Sequence, residues 1–344
     1  MKITVKDIAR LSGVSKGTVD RVLHNREGVS RKSFEKVMKV VRESGYEPNI
    51  YASLLAKHGK RILALLLPRS GNADYWTLVD AGADKAAAAA SDFGVDVKKI
   101  VYDQYSLDAF RSACKEALDL NPAGVVLPPM FKEETKVFAG RLDELGIPYA
   151  FVDSRIEELN YMAFYGMPAF SAGYLCAALL TDNQNVSAVG AVRVRRDKEG
   201  LSDPTVTRRN GFIRYLDDHF PDKKKAAVFI DPSDPGSIEP ALDGFFESNP
   251  DISHLVMFNS RLYLITDWLE KHPERKLRVV GFDNLEANVA ALKKGLVTAL
   301  ITQRPEQQIA GAIDALVNLL VLGKEPQKRD NFMHMDILTR YNAD

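Results

Sequence analysis

Residues 4–56, TVKDIARLSGVSKGTVDRVLHNREGVSRKSFEKVMKVVRESGYEPNIYASLLA, decide how this chain is read. Thr4 is placed to cap a first helix, with Asp7 three residues on in the capping-box position. Ile8, Ala9 and Leu11 supply the buried side of that helix. Gly13 permits a sharp turn, and Ser15 caps a second helix that runs to about Leu23. On it Val19, Val22 and Leu23 share one face, while Lys16, Gly17, Asp20 and Arg21 share the other. Ser30 opens a third helix, in which Phe34, Val37, Met38 and Val41 follow helical spacing and close a small core. Helix, tight turn, helix with a polar outer face is the helix-turn-helix arrangement, whose second helix enters the DNA major groove.

Charge points the same way. Residues 1–58 hold 12 Lys and Arg against 6 Asp and Glu, and the rest of the chain holds 34 against 40. A basic head on an acidic body is the asymmetry expected when only the head meets phosphate.

The runs VKDIARLSGVSKGTVDRVL, VS, GYEPN and ASLLA resemble the head and hinge of the LacI/GalR family of bacterial repressors, without gaps from about Ile3 to Ala56. The resemblance implies that Lys16, Gly17 and Arg21 occupy the base-reading positions. It makes Thr4, Thr18, Ser30, Ser33 and Asn49 phosphate contacts, to which Arg31 and Lys32 are added on charge. Ser15, at the start of the recognition helix, and Ala52, in the hinge, complete the expected DNA-facing set. The resemblance also implies that the head ends at Pro48, that residues 49–56 form a hinge helix, and that Leu55 is the leucine wedge that enters the minor groove. Two departures stand out. Asp20 replaces a small serine and can accept from a cytosine amino group, and Gly17 replaces a base-reading side chain.

The expected organisation is a head over 1–47, a hinge and linker over 48–60, and an effector-binding and dimerisation domain over 61–344. RILALLLP, from Arg61, is a continuous apolar run that suits a strand buried on both faces of a parallel sheet. Strand and helix then alternate to the end of the chain, which implies α/β architecture with parallel sheets and helices on both faces. The length implies two lobes. The resemblance implies a periplasmic-binding-protein-like body with three crossovers and a cleft between the lobes. Lobe 1 is expected over about 61–160 and 305–328, and lobe 2 over about 161–304 and 329–344.

Ligands in open α/β sheets sit beyond the carboxyl ends of the strands. Those positions hold Tyr75 and Trp76 after the first strand, Asp153 ending YAFVD, Asn259 ending HLVMFN, Asp283 in VVGFD and Gln303 in ITQRP. The resemblance makes Asp153 the ligand carboxylate and Asn259 a hydroxyl-binding residue, and it implies Arg155, one residue past the arginine that follows that carboxylate in sugar-binding relatives. Arg208 in TRRNGF matches the family's effector-contacting arginine, with Arg209 as the neighbouring alternative. Acidic, basic and amide groups around aromatics suit the vicinal hydroxyls of a sugar or polyol. Arg195, Arg196 and Lys198 near the cleft mouth are compatible with an acidic or phosphorylated sugar, or with a simple solvated loop.

Other chemistries lack support. GVSKG formally fits a nucleophile elbow, but its serine caps a helix instead of following a strand. Zincin, P-loop and dinucleotide motifs are missing, so no cofactor is expected. The two cysteines suggest no disulfide framework. With neither a signal core nor a spanning apolar run, a cytoplasmic chain without membrane contact is expected. The reading is therefore a dimeric, ligand-responsive transcription regulator, most simply a repressor, with double-stranded operator DNA and a carbohydrate-like effector as partners. Two rivals stay open: a cytoplasmic sugar-binding module with no DNA role, and an enzyme using Asp153 and Asp283 as an acid–base pair.

Overall fold

The computed structural model describes residues 3–23, 26–44, 61–71, 74–182, 186–194 and 204–343. Its contacts divide it into two units, Met1–Gly59 and Lys60–Asp344. The hinge positions Asn49, Ala52 and Leu55, and the basic residues Arg195, Arg196 and Lys198, lie outside the described residues.

In the head, helices span Val5–Ser12, Lys16–Leu23 and Arg31–Ser44. Each begins on a side-chain oxygen that takes an otherwise orphan backbone N–H. Thr4 Oγ1 accepts from the Asp7 N–H at 3.3 Å, while Asp7 Oδ2 accepts from the Thr4 N–H at 3.1 Å. Ser15 Oγ accepts from the Thr18 N–H at 3.1 Å, and Ser30 Oγ from the Ser33 N–H at 3.2 Å. Gly13 ends the first helix at φ 64°, a conformation that costs an L side chain energy.

Ile8, Val19, Val22 and Val37 form the buried core of the head. Leu11 and Phe34 do not join it and are 56% and 39% exposed. In these short helices the inward line of the first runs from Ile8 to Ser12, whose Oγ donates to the Ile8 carbonyl at 2.6 Å. So small a core closes before it can take a second large residue per turn.

The body is two six-stranded sheets of matching order. The first joins β1 (Arg61–Pro68), β2 (Val95–Tyr102), β3 (Gly124–Leu127), β4 (Tyr149–Val152), β5 (Ala163–Gly166) and the late strand β11 (Asp330–Phe332) in the order β11-β5-β4-β3-β1-β2. The second joins β6 (Ala188–Val194), β7 (Lys224–Ile230), β8 (Ile252–Met257), β9 (Arg278–Phe282), β10 (Ala299–Thr302) and β12 (Asp336–Leu338) in the order β12-β10-β9-β8-β6-β7. All pairs are parallel except β10 with β12. β1 lies between two strands and under helices, so Leu63 to Leu67 are all buried.

One expected boundary moves. The run Ala163–Gly166 pairs with β4, so the first lobe continues past residue 160, and Asp330–Phe332 pairs with β5 and not with the second sheet. An apolar run beside an unpaired strand edge satisfies its backbone by extending that sheet. The chain therefore crosses between lobes after Gly166, after Thr302 and after Phe332. The crossing segments are tied together: Met333 N–H donates to the Gly166 carbonyl at 2.9 Å, and Arg304 grips Asp336 with two bonds of 2.7 Å.

Helix Pro305–Leu322 returns to the first lobe and packs on helix Tyr75–Ser91. Gly82 permits this approach, since a Cβ there would lie 2.6 Å from Glu306 Cα.

Candidate functional site

The carboxyl ends of the two sheets face one cleft. Seven of the eight expected effector positions line it: Tyr75, Trp76, Asp153, Arg208, Asn259, Asp283 and Gln303.

On the first lobe, Asp74 caps its helix by accepting the Trp76 N–H at 2.7 Å and delivers two aromatics to the cleft wall. Tyr75 and Trp76 are largely buried, with ring centroids 5.1 Å apart and planes at 78°. They meet edge to face, so they form a corner and not a flat double platform. Burial first, then the Asp153 and Asp283 carboxylates, hold the Tyr75 phenol well above its usual pKa, against an opposing pull from Arg208. Tyr75 stays a neutral hydroxyl, able to donate and to accept.

On the second lobe a polar chain is built from three elements. Helix Pro204–His219 supplies Arg208, only 3% exposed. Its guanidinium donates to the Phe258 carbonyl at 3.0 Å and to Gln303 Oε1 at 3.2 Å, and lies 4.7 Å above the Phe282 ring. Gln303 then donates from Nε2 to Asp283 Oδ1 at 2.9 Å, and Gln308 donates to the Gln303 carbonyl at 2.8 Å. Arg208 Nε is buried and has no hydrogen-bond partner among the described residues. Burial raises the Asp283 carboxyl above its ordinary 3.8, although Arg208 and Gln303 pull it down. A buried polar group without a partner costs about 1–3 kcal/mol.

Arg155 is not in the cleft. Immediately after Asp153 the Ser154 N–H folds back to the Val152 carbonyl at 2.7 Å, and the Arg155 guanidinium pairs with Glu157 at 2.7 Å and Asp330 at 3.5 Å. It also lies 5.1 Å from both the Phe164 and Phe332 rings. A guanidinium with two carboxylates and two aromatic faces on β5 and β11 is held at the sheet edge, away from the ligand space.

The cleft also receives Asp74, Gln104, Met130, Thr205, Ser260 and Arg261, which sequence reading did not single out. Asp74, Ser260 and Arg261 adjoin positions that it did name, and Gln104 follows the end of β2. Taking two residues on each side of the named positions would have found Asp74, Ser260 and Arg261, and reading two residues past β2 would have found Gln104; Met130 and Thr205 fall outside both windows. Arg261 reaches the Tyr105 hydroxyl from the opposite lobe and lies 5.7 Å from that ring, joining the two rims. Met130 takes the place after β3, beyond Pro128 and Pro129.

Among the described residues, no group of His, Cys, Asp and Glu is arranged to hold a metal ion. Cys114 and Cys176 are free and buried, and burial pushes the Cys114 thiol up to about 12. No helix among the described residues is long and apolar enough to cross a membrane.

In the head, Lys16, Gly17 and Arg21 are exposed along the outer face of the second helix. Ser15, Ser30, Arg31, Lys32 and Thr4 are exposed too, and Thr18 and Ser33 are half-buried in caps. The Asp20 carboxylate is met by Arg26 at 3.4 Å.

A helix-turn-helix unit joined in one chain to a two-lobed α/β body with a polar, aromatic-edged cleft defines a class of protein, and the comparisons agree with it. Residues 4–49 match the model for bacterial regulatory proteins of the lacI family, and residues 63–325 match the periplasmic binding protein domain. A crystal structure described as a candidate LacI transcriptional regulator from Bacteroides fragilis shares 32% identity at a TM-score of 0.76, over 82% of this chain and 98% of that one. The chain belongs to the lacI family of bacterial regulatory proteins.

The regulator TreR of Salmonella typhimurium is 41% identical over 68 residues, which is 20% of this chain and 22% of TreR, so the matched stretch spans under a quarter of that relative. A carbohydrate transporter solute-binding protein from Agrobacterium radiobacter, solved with D-arabinose, superposes at a TM-score of 0.69 over 83% of this chain and 96% of its own. At 18% identity it speaks for the fold alone. The matched proteins are transcription regulators and sugar-binding proteins.

Proposed function

We propose that this chain is a ligand-responsive transcription repressor of the cytoplasm. It binds a pseudo-palindromic operator as a homodimer and takes a small carbohydrate-like effector into the cleft between its lobes. The observation that carries the effector reading is the chain from Arg208 through Gln303 to Asp283, buried on the second lobe opposite Tyr75 and Asp153 on the first. Acceptors and donors that face each other across a cleft match vicinal hydroxyls, and a ligand held by both lobes favours their closure.

In the head, Lys16, Gly17, Asp20 and Arg21 face base edges, and Thr4, Ser15, Thr18, Ser30, Arg31, Lys32 and Ser33 face phosphates. Asn49, Ala52 and Leu55 complete the contact in the hinge, with Leu55 in the minor groove. Closure of the lobes and engagement of the operator are then thermodynamically linked, each altering the other's affinity by the same factor.

The test is selection of an operator from random duplexes, followed by titration of sugars into the protein–operator complex. A half-site pair whose affinity shifts with one sugar supports the reading. Binding of sugar with no sequence-specific DNA binding at any salt supports the rival instead, a sugar-binding module without a DNA role.

A further inference from the structure

Beside the cleft lies a second cavity of about 160 Å³, which shares Thr205 and Asn259 with it. By this measure about 10–15 Å³ holds one water, so the space admits a substituent of several heavy atoms. Consecutive residues of helix Pro204–His219 serve the two spaces: Arg208 lines the cleft and Arg209 lines the second cavity. Neighbours on a helix point about 100° apart, which separates the two guanidiniums onto different walls.

The two spaces differ in charge. Three carboxylates, Asp74, Asp153 and Asp283, line the cleft with two guanidiniums, Arg208 and Arg261. The second cavity is lined by Arg193 and Arg209, with no carboxylate among its described lining residues. Arg193 lies 4.6 Å above the Phe229 ring, whose face orients the guanidinium plane. Asn259 stands at the junction, its Oδ1 already accepting the Arg261 N–H at 3.0 Å. An anion placed in the cleft meets carboxylates, whereas one placed next door meets two guanidinium forks, the geometry that binds phosphate or carboxylate in pairs of hydrogen bonds.

We propose that the effector is a sugar bearing an anionic substituent, a phosphate or a carboxylate. Its hydroxyls occupy the cleft and its anion occupies the pocket of Arg193 and Arg209. The inference rests on the cleft being the effector site, and the experiment separates the two.

Calorimetric titration of the full-length protein compares D-glucose and D-ribose with glucose 6-phosphate, ribose 5-phosphate and glucuronate, and with inorganic phosphate alone. The expected result is that one anionic sugar binds at least about tenfold more tightly than its neutral parent. The advantage shrinks as salt rises. Arg193→Gln with Arg209→Gln removes it and leaves affinity for the neutral parent unchanged, while Arg209→Lys keeps part of it. Which arm binds tells phosphate from carboxylate. A neutral sugar that binds as tightly as its acid overturns the inference and leaves the cleft reading standing. So does an advantage that survives both glutamines, or inorganic phosphate that binds as tightly as the sugar phosphate. Failure of every sugar to bind overturns the cleft reading and the inference together.

Discussion

Asp153 and Asp283 stand at equivalent places in the two sheets. Each is the first residue past its strand, each is left-handed, at φ 65° and 66°, and each donates its N–H to the neighbouring strand, Asp153 to the Tyr165 carbonyl at 3.1 Å and Asp283 to that of Ile301 at 2.9 Å. Left-handed backbone outside glycine carries a cost that Asp tolerates better than most residues, and such positions gather at ligand clamps. The pair faces one cleft from opposite lobes. The surroundings differ: Asp283 is held by Gln303 within its own lobe, while the Asp153 carboxylate bears on the Tyr75 phenol.

Arg208→Ala should abolish the effector response and leave operator affinity intact. Hydrogen bonds to a charged group are worth about 1.5–3 kcal/mol, so effector affinity should fall roughly tenfold to a hundredfold. Fluorescence anisotropy with labelled operator, with and without effector, reads both quantities. A variant that still responds places the effector elsewhere.

Asp283→Asn should separate binding from stability. The folded protein holds this carboxyl protonated to a higher pH than the unfolded chain does. The native state therefore loses stability as pH rises from about 3.8 through the raised value, and the penalty persists at neutral pH. The amide removes that penalty, so the variant should match the parent near pH 3.5, melt higher at pH 7 and bind effector more weakly. Thermal melts at the two pH values decide it. A variant less stable than the parent at pH 7 would show that the charge pairing with Arg208 outweighs burial.

His254 has the opposite sign. It is a buried base with Nδ1 2.7 Å from Ser253 Oγ, and burial, then Arg278, lower its pKa below 6.5. The stability of the neutral ring is complete above pH 6.5 and is lost as pH falls towards the lowered value, where the unfolded chain has already taken its proton. Melting temperature should drop between pH 7 and pH 5, and His254→Leu should flatten that part of the curve. An equal drop in the variant would assign the acid sensitivity to other groups.

Gly173→Ala should disturb the cleft without touching it. A Cβ at Gly173 would sit 1.7 Å from the Arg208 carbonyl oxygen. Helices Ala169–Thr181 and Pro204–His219 would have to part, at a cost of about 1–3 kcal/mol. Calorimetry should show lower stability together with weaker effector binding, because Arg208 moves with its helix. Lower stability with unchanged affinity would break that link.

Arg21→Ala should relax sequence preference by about 1–3 kcal/mol at one base pair, whereas Lys32→Ala should weaken all sequences alike and lower the salt slope by about one. Binding titrations at several salt concentrations distinguish the two. Equal effects on every sequence from both changes would remove Arg21 from base reading.

Much of this was legible in one dimension, because local chemistry was decisive there. The caps Thr4, Ser15 and Ser30, the turn at Gly13 and the apolar run of β1 act over a few residues, and each stands where its neighbours place it. Positions that follow strand ends gave six cleft residues, since parallel sheets bring those ends to one side, and the family resemblance supplied Arg208.

Partner choice was not legible. Whether Arg155 faced the cleft depended on Asp330, which lies 175 positions away in sequence and arrives only when β11 pairs with β5. The lobe boundary past residue 160 depended on the same sheet edge, and the exposure of Leu11 and Phe34 on how little volume three short helices enclose. The sequence by itself determined the elements, their order and the residue types offered to DNA and ligand, because these follow from hydrogen bonds and apolar spacing along the chain. Only the tertiary structure decided which of two adjacent arginines enters the cleft and which carboxylates meet there, because those depend on distances between segments that local propensity does not encode.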